Sequence, residues 1–356
     1  MKKLLNLVKY TLLVALSVAL MAYALKGIDF TLVWQQLQKV NYFWIAVSLM
    51  LALAGCLSRA YRWKMQLEPL GYQVPLPKTY NALMVGYLAN LVLPRAGEVI
   101  RCSMLRKTSG VAVKAGIGTV ITERLLDMVM LLLLTGAAFL IEFERIHAFF
   151  WNLFSDKVAS YGATWGMIYL LAGSLIFLVL LVATLGYFFR DKLTHHVLYI
   201  KIKTFVKGVA EGIFSVANLS NKTAFVGHTL FIWISYFFTS YVGFLALPGT
   251  AHLGLGAALS VLVVGSLGMS APVQGGIGVF HIMVRSTLLL YGLSKETGMA
   301  FALVNHTSQT LLVVLLGGIS FIVSVLNQKP VAENPLPNYE TNPVVYDNFP
   351  QQNIPE

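Results

Sequence analysis

Six long apolar runs constrain this chain more than any other feature of its sequence. They cover residues of about 7–25, 42–59, 116–141, 166–189, 224–247 and 298–325. A helix needs roughly 20 apolar residues to cross the hydrocarbon core of a bilayer, so each run can span it. With 57% hydrophobic and only 12% charged residues, the chain cannot form a normal soluble surface. We therefore predict an all-α polytopic membrane protein with about six spanning helices.

The first apolar run has two interpretations. Three lysines precede a stretch that ends in Ala22-Tyr23-Ala24, which is the pattern of a cleaved secretory signal. Its apolar length suits a spanning helix better than the core of a signal peptide. We expect a retained helix, and the topology of the remaining chain is the same in either case.

The basic residues predict the orientation. The chain carries a net charge of +11, and most of its 26 lysines and arginines fall at the N-terminus, in 59–114 and in 190–222. Such short clusters between apolar runs are topology signals of a membrane protein rather than a nucleic-acid surface. The positive-inside rule then predicts a multi-pass protein of the cell membrane with both termini in the cytoplasm.

Two further apolar stretches, residues 79–93 and 255–271, are short or rich in small residues, and each ends near a proline followed by glycine. The charge count is satisfied only if neither stretch crosses the bilayer. We predict two re-entrant hairpins, 79–114 and 253–293, that enter from opposite faces. Both share the pattern Val-Gly-x-Leu followed by Pro-x-x-Gly, which together with opposite orientation is typical of inverted-repeat transporters.

The segment N-L-V-L-P-R-A-G-E-V-I-R, residues 90–101, places charges directly after an apolar run. Pro94 stops a helix and Gly97 permits the backbone angles of a sharp turn, so we expect the chain to reverse here. Within a bilayer such a turn must be covered by protein or line a polar cavity, and we expect Arg95, Glu98 and Arg101 to project into such a cavity. The alternative is an ordinary cytoplasmic loop after a short additional span.

A second group of charges, Glu123, Arg124 and Asp127, lies inside an apolar run. The spacing places both acids on one helical face and predicts an Arg124–Asp127 pair. The second acid needs another cation, for which Arg95 and Arg101 are the candidates. Ionised groups in a membrane helix mark either a structural cluster or a substrate path, and the two interpretations are compatible.

The second hairpin contains a glycine-rich turn, with Pro272, Gly275, Gly276 and Gly278 as its turn residues. A helix that begins directly after it would direct its positive end at the turn and favour an anion. His281 and Arg285 follow one turn apart. His281 is either a proton carrier or a hydrogen-bonded residue, and Asn305, His306 and Gln309 of the last span either line the same cavity or bond a neighbouring helix.

Three motifs in this order resemble the transmembrane region of lysylphosphatidylglycerol synthases, also described as flippase-like membrane proteins. They are N-x-x-x-P-x-x-G-E-x-x-R from residue 90, E-R-x-x-D from residue 123 and P-x-x-G-G-x-G from residue 272. The likeness covers roughly residues 1–325. It implies lipid handling, because the matching domain of the multiple peptide resistance factor moves aminoacylated phosphatidylglycerol between leaflets. In that protein a large soluble aminoacyl-transferring domain follows, whereas this sequence ends at Glu356, so synthase activity is not expected.

Outside the predicted transmembrane domain of residues 1–325, residues 326–356 are rich in proline and asparagine and predict a disordered cytoplasmic tail. Within the domain, residues 191–222 have apolar positions at helical spacing beside lysines, which predicts a cytoplasmic interfacial helix. Asp29–Val40 has a similar pattern and is expected to lie in the outer interface.

We therefore predict a flippase-like transporter that moves an anionic or phosphate-bearing lipid between leaflets, with the two hairpin turns meeting near the midplane. Candidate cargoes are anionic phospholipids, aminoacylated phospholipids and polyprenyl-phosphate-linked lipids, and homo-oligomerisation is open. No metal or cofactor is predicted, since Cys56 and Cys102 have no metal-ligand spacing. The predicted substrate-binding residues are Asn90, Arg95, Glu98, Arg101, Glu123, Arg124, Asp127, His281 and Arg285.

Two alternatives to a transporter stay open. The chain could present lipid to a separate synthase or glycosyltransferase, or it could be an intramembrane lipid-modifying transferase. The second alternative has little support in the sequence, because no nucleophile with an adjacent base and no pair of metal-binding carboxylates stands out.

Overall fold

The structure is a computed structural model that describes residues 2–145, 148, 219 and 221–326, with side chains from Thr11 onward. Within these residues the chain is helical and has no strand. The helices are α1 Lys2–Leu25, α2 Phe30–Leu37, α3 Tyr42–Leu67, α4 Leu76–Val92, α5 Gly97–Ser109, α6 Val113–Ile141, α7 Lys222–Leu245, α8 Leu255–Met269, α9 Val279–Leu289 and α10 Lys295–Leu326. Short 3-10 helices occur at Glu68–Leu70 and Gln274–Gly276.

Four helices in this part of the chain are long and apolar enough to cross a membrane, namely Tyr42–Leu70, Val113–Ile141, Lys222–Leu245 and Lys295–Leu326. They confirm four of the predicted spans as helices. The first predicted span is also helical, and its segment Thr11–Leu25 is long and apolar enough for a span when it is taken together with α2, which bends away from it by 92°. The remaining predicted span, 166–189, lies outside the described residues. The predicted tail beyond Leu326 also lies outside them, and so does the predicted interfacial helix 191–222 apart from its final residues.

Local sequence signals explain where the helices begin and end. Asp29 caps α2 by accepting a hydrogen bond from the Thr31 backbone N–H at 2.8 Å. Asn41 caps α3 in the same way, and Asn221 caps α7. Gly110, with φ of 71°, ends α5 in the left-handed conformation that glycine adopts without a steric cost.

The order long helix, helix pair, long helix occurs twice. It is α3, the pair α4–α5 and α6 in the first half, and α7, the pair α8–α9 and α10 in the second. We call the first pair with residues 93–96 hairpin 1, and the second pair with residues 270–278 hairpin 2. Pro94 and Pro272 lie between the two helices of their pairs, where the sequence predicts that the chain reverses.

The two halves interlock through their helices. The helix α3 packs along α7, and α4 of hairpin 1 packs along α10. Hairpin 2 packs between α7, α10 and α1, where Ala24 of α1 is fully buried. A Cβ at Gly278 would lie only 2.6 Å from the Leu20 Cβ, so this glycine allows hairpin 2 to approach α1 closely.

Candidate functional site: a buried arginine cluster

Five charged side chains meet between α3, α5 and α6, and we call them the arginine cluster. The helix α3 contributes Arg59 and Arg62, α5 contributes Arg101, and α6 contributes Glu123 and Asp127. Arg62 is 0% exposed, Glu123 is 1% exposed and Arg101 is 2% exposed. A buried charge requires ionic and hydrogen-bond partners, so their mutual contacts decide whether the arrangement is stable.

Each carboxylate of the cluster is shared by two arginines. Glu123 accepts from Arg59 Nε at 2.6 Å and from Arg101 Nη2 at 2.9 Å. Asp127 accepts from Arg62 Nη2 at 2.8 Å and also from Arg59 Nη2. These charge-assisted bonds connect α3, α5 and α6 into one ionic network.

The cluster carries more positive than negative charge. It contains three guanidinium groups and two carboxylates, which leaves a surplus of one positive charge if all five groups are ionised. Arg101 Nε, Arg101 Nη1 and Arg62 Nε are buried and have no hydrogen-bond partner among the described residues. A surplus charge with unused donors in an apolar interior favours an anion as the additional partner.

Neutral side chains hold two of these arginines in place. Trp63 lies under Arg101, with the guanidinium carbon 4.7 Å from the ring centroid. The indole N–H of Trp63 in turn donates to Thr119 Oγ1 at 2.9 Å. Tyr236 of α7 accepts from Arg59 Nη1 at 2.9 Å. The stacked and bonded guanidinium groups are therefore fixed in position rather than free to rotate.

The turn of hairpin 1 lies next to the start of α5. Asn90 Oδ1 accepts from the Gly97 backbone N–H at 2.8 Å and so closes the turn around Pro94. The left-handed residue is Arg95, with φ of 63°, which corrects the prediction that Gly97 supplies the turn's special backbone angles. Gly97 instead permits close packing, because a Cβ at this position would overlap the carbonyl oxygen of Gly86 in α4.

The turn of hairpin 2 contains three glycines with left-handed backbone. Gly275, Gly276 and Gly278 have φ values of 53°, 73° and 83°. After the last of them, α9 begins at Val279, as the sequence predicts. Gln274 in this turn is buried, and its Oε1 accepts from Ser17 Oγ of α1 at 2.6 Å.

The two hairpin turns contact each other. Arg95 Nη2 of hairpin 1 donates to the Ser270 carbonyl of hairpin 2 at 3.1 Å. On the other side of the contact, Leu91 lies close to Gly275, since a Cβ added to Gly275 would be only 2.8 Å from the Leu91 Cδ2. The structure thus brings together the two turns that the sequence singled out.

The predicted Arg124–Asp127 pair is wrong. Arg124 instead pairs with Glu98 of α5 at 3.4 Å, near the surface, where the two side chains are 44% and 29% exposed. The pairing differs because Arg59 and Arg62 occupy the face of α6 on which Asp127 lies. Of the two cations proposed for the second acid, Arg101 does pair with Glu123, whereas Arg95 bonds the Ser270 backbone.

Two other predicted site residues lie away from the arginine cluster. Arg285 donates to the Ala24 carbonyl of α1, and His281 is buried beside His306 of α10. The structure therefore distributes the predicted residues over the arginine cluster, the hairpin contact and the packing of α9 against α1 and α10.

Sequence reasoning missed Arg59 and Arg62. They lie at the end of a predicted span, and the topology count treats them as cytoplasmic charges. Their spacing of three residues places both on one helical face, the same signal that singled out the acids of α6. Two arginines on one face of α3 and two carboxylates on one face of α6 could have predicted that these helices pair through them.

A groove opens beside the cluster between α3 and α7. It has a volume of about 620 Å³, and its mostly apolar wall is formed by Ala54, Leu57, Ser58, Tyr61, Leu76, Ala224, Gly227, His228 and Phe231. Ser58 Oγ and His228 Nδ1, 2.8 Å apart, form a polar spot in this wall. Arg59, which follows Ser58, is a member of the cluster. Thr229, which follows His228, contacts the cluster because its hydroxyl accepts a hydrogen bond from Arg62.

The fold and the site define a class: a polytopic helical membrane protein with an ionised cluster buried between its helices. The chain matches the family model described as lysylphosphatidylglycerol synthase TM region over residues 10–317, and it belongs to that family. The resemblance expected from the three motifs is thereby confirmed. In the same comparisons no curated protein and no solved structure matches the chain.

Proposed function

We propose that this protein moves an anionic, phosphate-bearing lipid between the leaflets of the cell membrane. The observation that carries the proposal is the surplus positive charge of the arginine cluster, together with its buried guanidinium N–H groups that have no partner in the described part of the chain. A lipid phosphate supplies both the charge and the acceptor oxygens that these groups lack.

The groove beside the cluster supports a lipid rather than a free anion. An apolar wall between two membrane helices suits an acyl chain, while Ser58 and His228 bring a polar spot next to the arginines. In the proposed path the acyl chains stay against the groove and the bilayer, and the headgroup exchanges partners with Arg62 and Arg101. This arrangement shields the phosphate from the hydrocarbon during its passage.

We further propose that both hairpins are re-entrant and that the two halves form an inverted repeat. The helices α5, α8 and α9 have 13, 15 and 11 residues. At about 1.5 Å per residue, none reaches the roughly 30 Å of the hydrocarbon core. The distribution of lysine and arginine supports cytoplasmic termini, and contact between the turns supports a path that runs past them.

The proposed role is transport rather than synthesis. Candidate cargoes are anionic phospholipids, aminoacylated phospholipids and polyprenyl-phosphate-linked lipids, which share the phosphate that the cluster would bind. A separate synthase or glycosyltransferase would supply or consume the lipid.

The experiment is lipid movement in liposomes that contain the purified protein and traces of headgroup-labelled lipids. A membrane-impermeant reductant measures how much label reaches the outer leaflet. We expect one phosphate-bearing class to move with the wild type and to move at least about tenfold more slowly with Arg101→Ala, because one charged contact is worth more than 1.4 kcal/mol. Lys107→Ala is the matched control, since Lys107 lies on the same helix and is exposed.

Arg101→Lys provides a second variant that keeps the charge but loses the planar guanidinium over Trp63. We expect intermediate movement from it if the fold is intact. Failure of every lipid class to move with the wild type, or equal movement with Arg101→Ala, would overturn the proposal. In the first case, presentation of lipid to a partner enzyme becomes the better explanation.

A further inference from the structure

Two histidines form a buried pair where hairpin 2 meets α10. The ring centroids of His281 and His306 are 4.8 Å apart, and the residues are 3% and 8% exposed. Phe280 covers them, with its ring centroid 5.2 Å from that of His306. A titratable pair enclosed in this way is rare in a membrane domain and requires a physical explanation.

The hydrogen bonds assign a protonation pattern to the pair. His306 Nε2 lies 2.7 Å from the Gly275 carbonyl oxygen, which can only accept, so this nitrogen carries a hydrogen. Its Nδ1 faces Thr310 Oγ1 at 3.5 Å. His281 Nδ1 is buried and has no partner among the described residues. The pair therefore keeps one unused nitrogen in its interior.

The surroundings of the pair contain few other charges. The helix α8 has no ionisable side chain, and α1 brings only the exposed Tyr23 within its described side chains. On α9 itself, Arg285 lies one turn away and bonds the Ala24 carbonyl. On α10 the remaining ionisable residues, Lys295 and Glu296, lie three turns away in its first turn. In the described parts of α1, α8, α9 and α10, the pair is therefore the buried titratable group at this contact, and hairpin 1 adds the positive charge of Arg95 at the Ser270 carbonyl.

We propose that His281 and His306 bind one proton together and that this proton accompanies the anionic lipid through the protein. The proposal rests on the proposed lipid transport and adds a coupling ion to it. Two adjacent imidazolium groups repel each other, so the pair accepts a single proton. The positive charge strengthens the bond from His306 to Gly275 in the hairpin turn, because charge-assisted hydrogen bonds are stronger than neutral ones.

The position of the pair connects the proton to the lipid path. Gly275 contacts Leu91 of hairpin 1, and the same hairpin continues through Asn90 and Gly97 to Arg101. A lipid phosphate near the hairpins attracts a proton to the pair, and the bound proton attracts the phosphate to the same degree. A proton gradient could then drive net movement, which the arginine cluster alone would only equilibrate.

The first readout is independent of transport. The imidazole nitrogens of ¹⁵N-histidine-labelled protein are titrated by NMR in nanodiscs of phosphatidylcholine with and without phosphatidylglycerol, and His281→Gln and His306→Gln assign the signals. We expect phosphatidylglycerol to raise the proton affinity of the pair roughly tenfold, within the usual range of coupling between sites. The exposed His252 reports the change in proton affinity that the membrane surface charge alone causes.

The second readout is lipid movement in liposomes under an imposed pH gradient. The wild type should accumulate label on one side, whereas His281→Gln and His306→Gln should only equilibrate it. His252→Gln should behave like the wild type. The amide of the His306→Gln side chain can still donate to the Gly275 carbonyl, so this variant separates loss of the proton from loss of the hydrogen bond.

The outcomes separate the two proposals. If lipid moves with the wild type but no pH gradient biases it, or if the pair shifts no more than His252, the proton proposal is overturned and lipid transport stands. If no lipid moves under any condition, transport itself fails. If both glutamine variants still accumulate label on one side under a pH gradient, the role of the pair is also overturned.

Discussion

Replacing Glu123 by glutamine removes the carboxylate that joins α3 and α5 to α6. Glu123 accepts from both Arg59 and Arg101, and the amide keeps one acceptor oxygen but no charge. Three buried guanidinium groups would then face the single carboxylate of Asp127. Loss of one partner from a buried ion pair costs about 3–5 kcal/mol, so the free energy of unfolding should fall by about that amount.

Glu98→Gln is the matched control, because it makes the same chemical change on an adjacent helix. Glu98 pairs with Arg124 at 3.4 Å near the surface. Exposed ion pairs contribute about 0–1 kcal/mol, so this variant should lose less than about 1 kcal/mol. The difference between the two variants compares a carboxylate enclosed by arginines with one that is 29% exposed.

The assay is reversible unfolding of the purified protein in mixed micelles, followed by tryptophan fluorescence. Trp63 lies against Arg101 and reports directly on the cluster. Glu123→Gln raises the surplus of the cluster from one positive charge to two, and adding Arg101→Met returns it to one, so the double variant should recover part of the lost stability. Equal losses for Glu123→Gln and Glu98→Gln would refute the view that the cluster is an ionised unit.

Two further predictions concern the hairpins. Gly97→Ala should lower the free energy of unfolding by about 1–3 kcal/mol, because the new Cβ overlaps the Gly86 carbonyl, whereas Gly118→Ala has open space among the described residues and should change it by less than about 1 kcal/mol. Equal effects in the same unfolding assay would contradict the close helix contact. In a background without the native cysteines, Arg95→Cys and Ser270→Cys should be joined by a bifunctional thiol reagent about as long as an arginine side chain, as measured by mass spectrometry. Absence of the cross-link, with both thiols reactive, would contradict contact between the turns.

The sequence indicated where helices end near Pro94 and Pro272, because proline and glycine act locally. Pro94 ends α4 at Val92, and the glycines after Pro272 adopt left-handed conformations that suit a turn. Gly97 was misinterpreted because its role depends on Gly86 in another helix. Close approach between helices leaves no local signal, whereas a turn does.

The arginine cluster was predicted only in part for the same reason. Helical spacing places Glu123 and Asp127 on one face, but it does not identify which helix faces them. Arg59 and Glu123 are separated by 64 positions, and the pairing follows from how α3 packs against α6. The positive-inside rule counts Arg59 and Arg62 as cytoplasmic charges, because it does not distinguish exposed cations from buried ones.

The central claim is that a lipid phosphate reaches the arginine cluster. The most direct measurement is ³¹P–¹⁵N dipolar recoupling by solid-state NMR on arginine-labelled protein in bilayers that contain phosphatidylglycerol, compared with Arg101→Lys. We predict that phosphorus dephases a guanidinium signal in the wild type and that this signal is missing from the variant. A spectrum in which the same arginine signals dephase equally in both proteins would contradict the account.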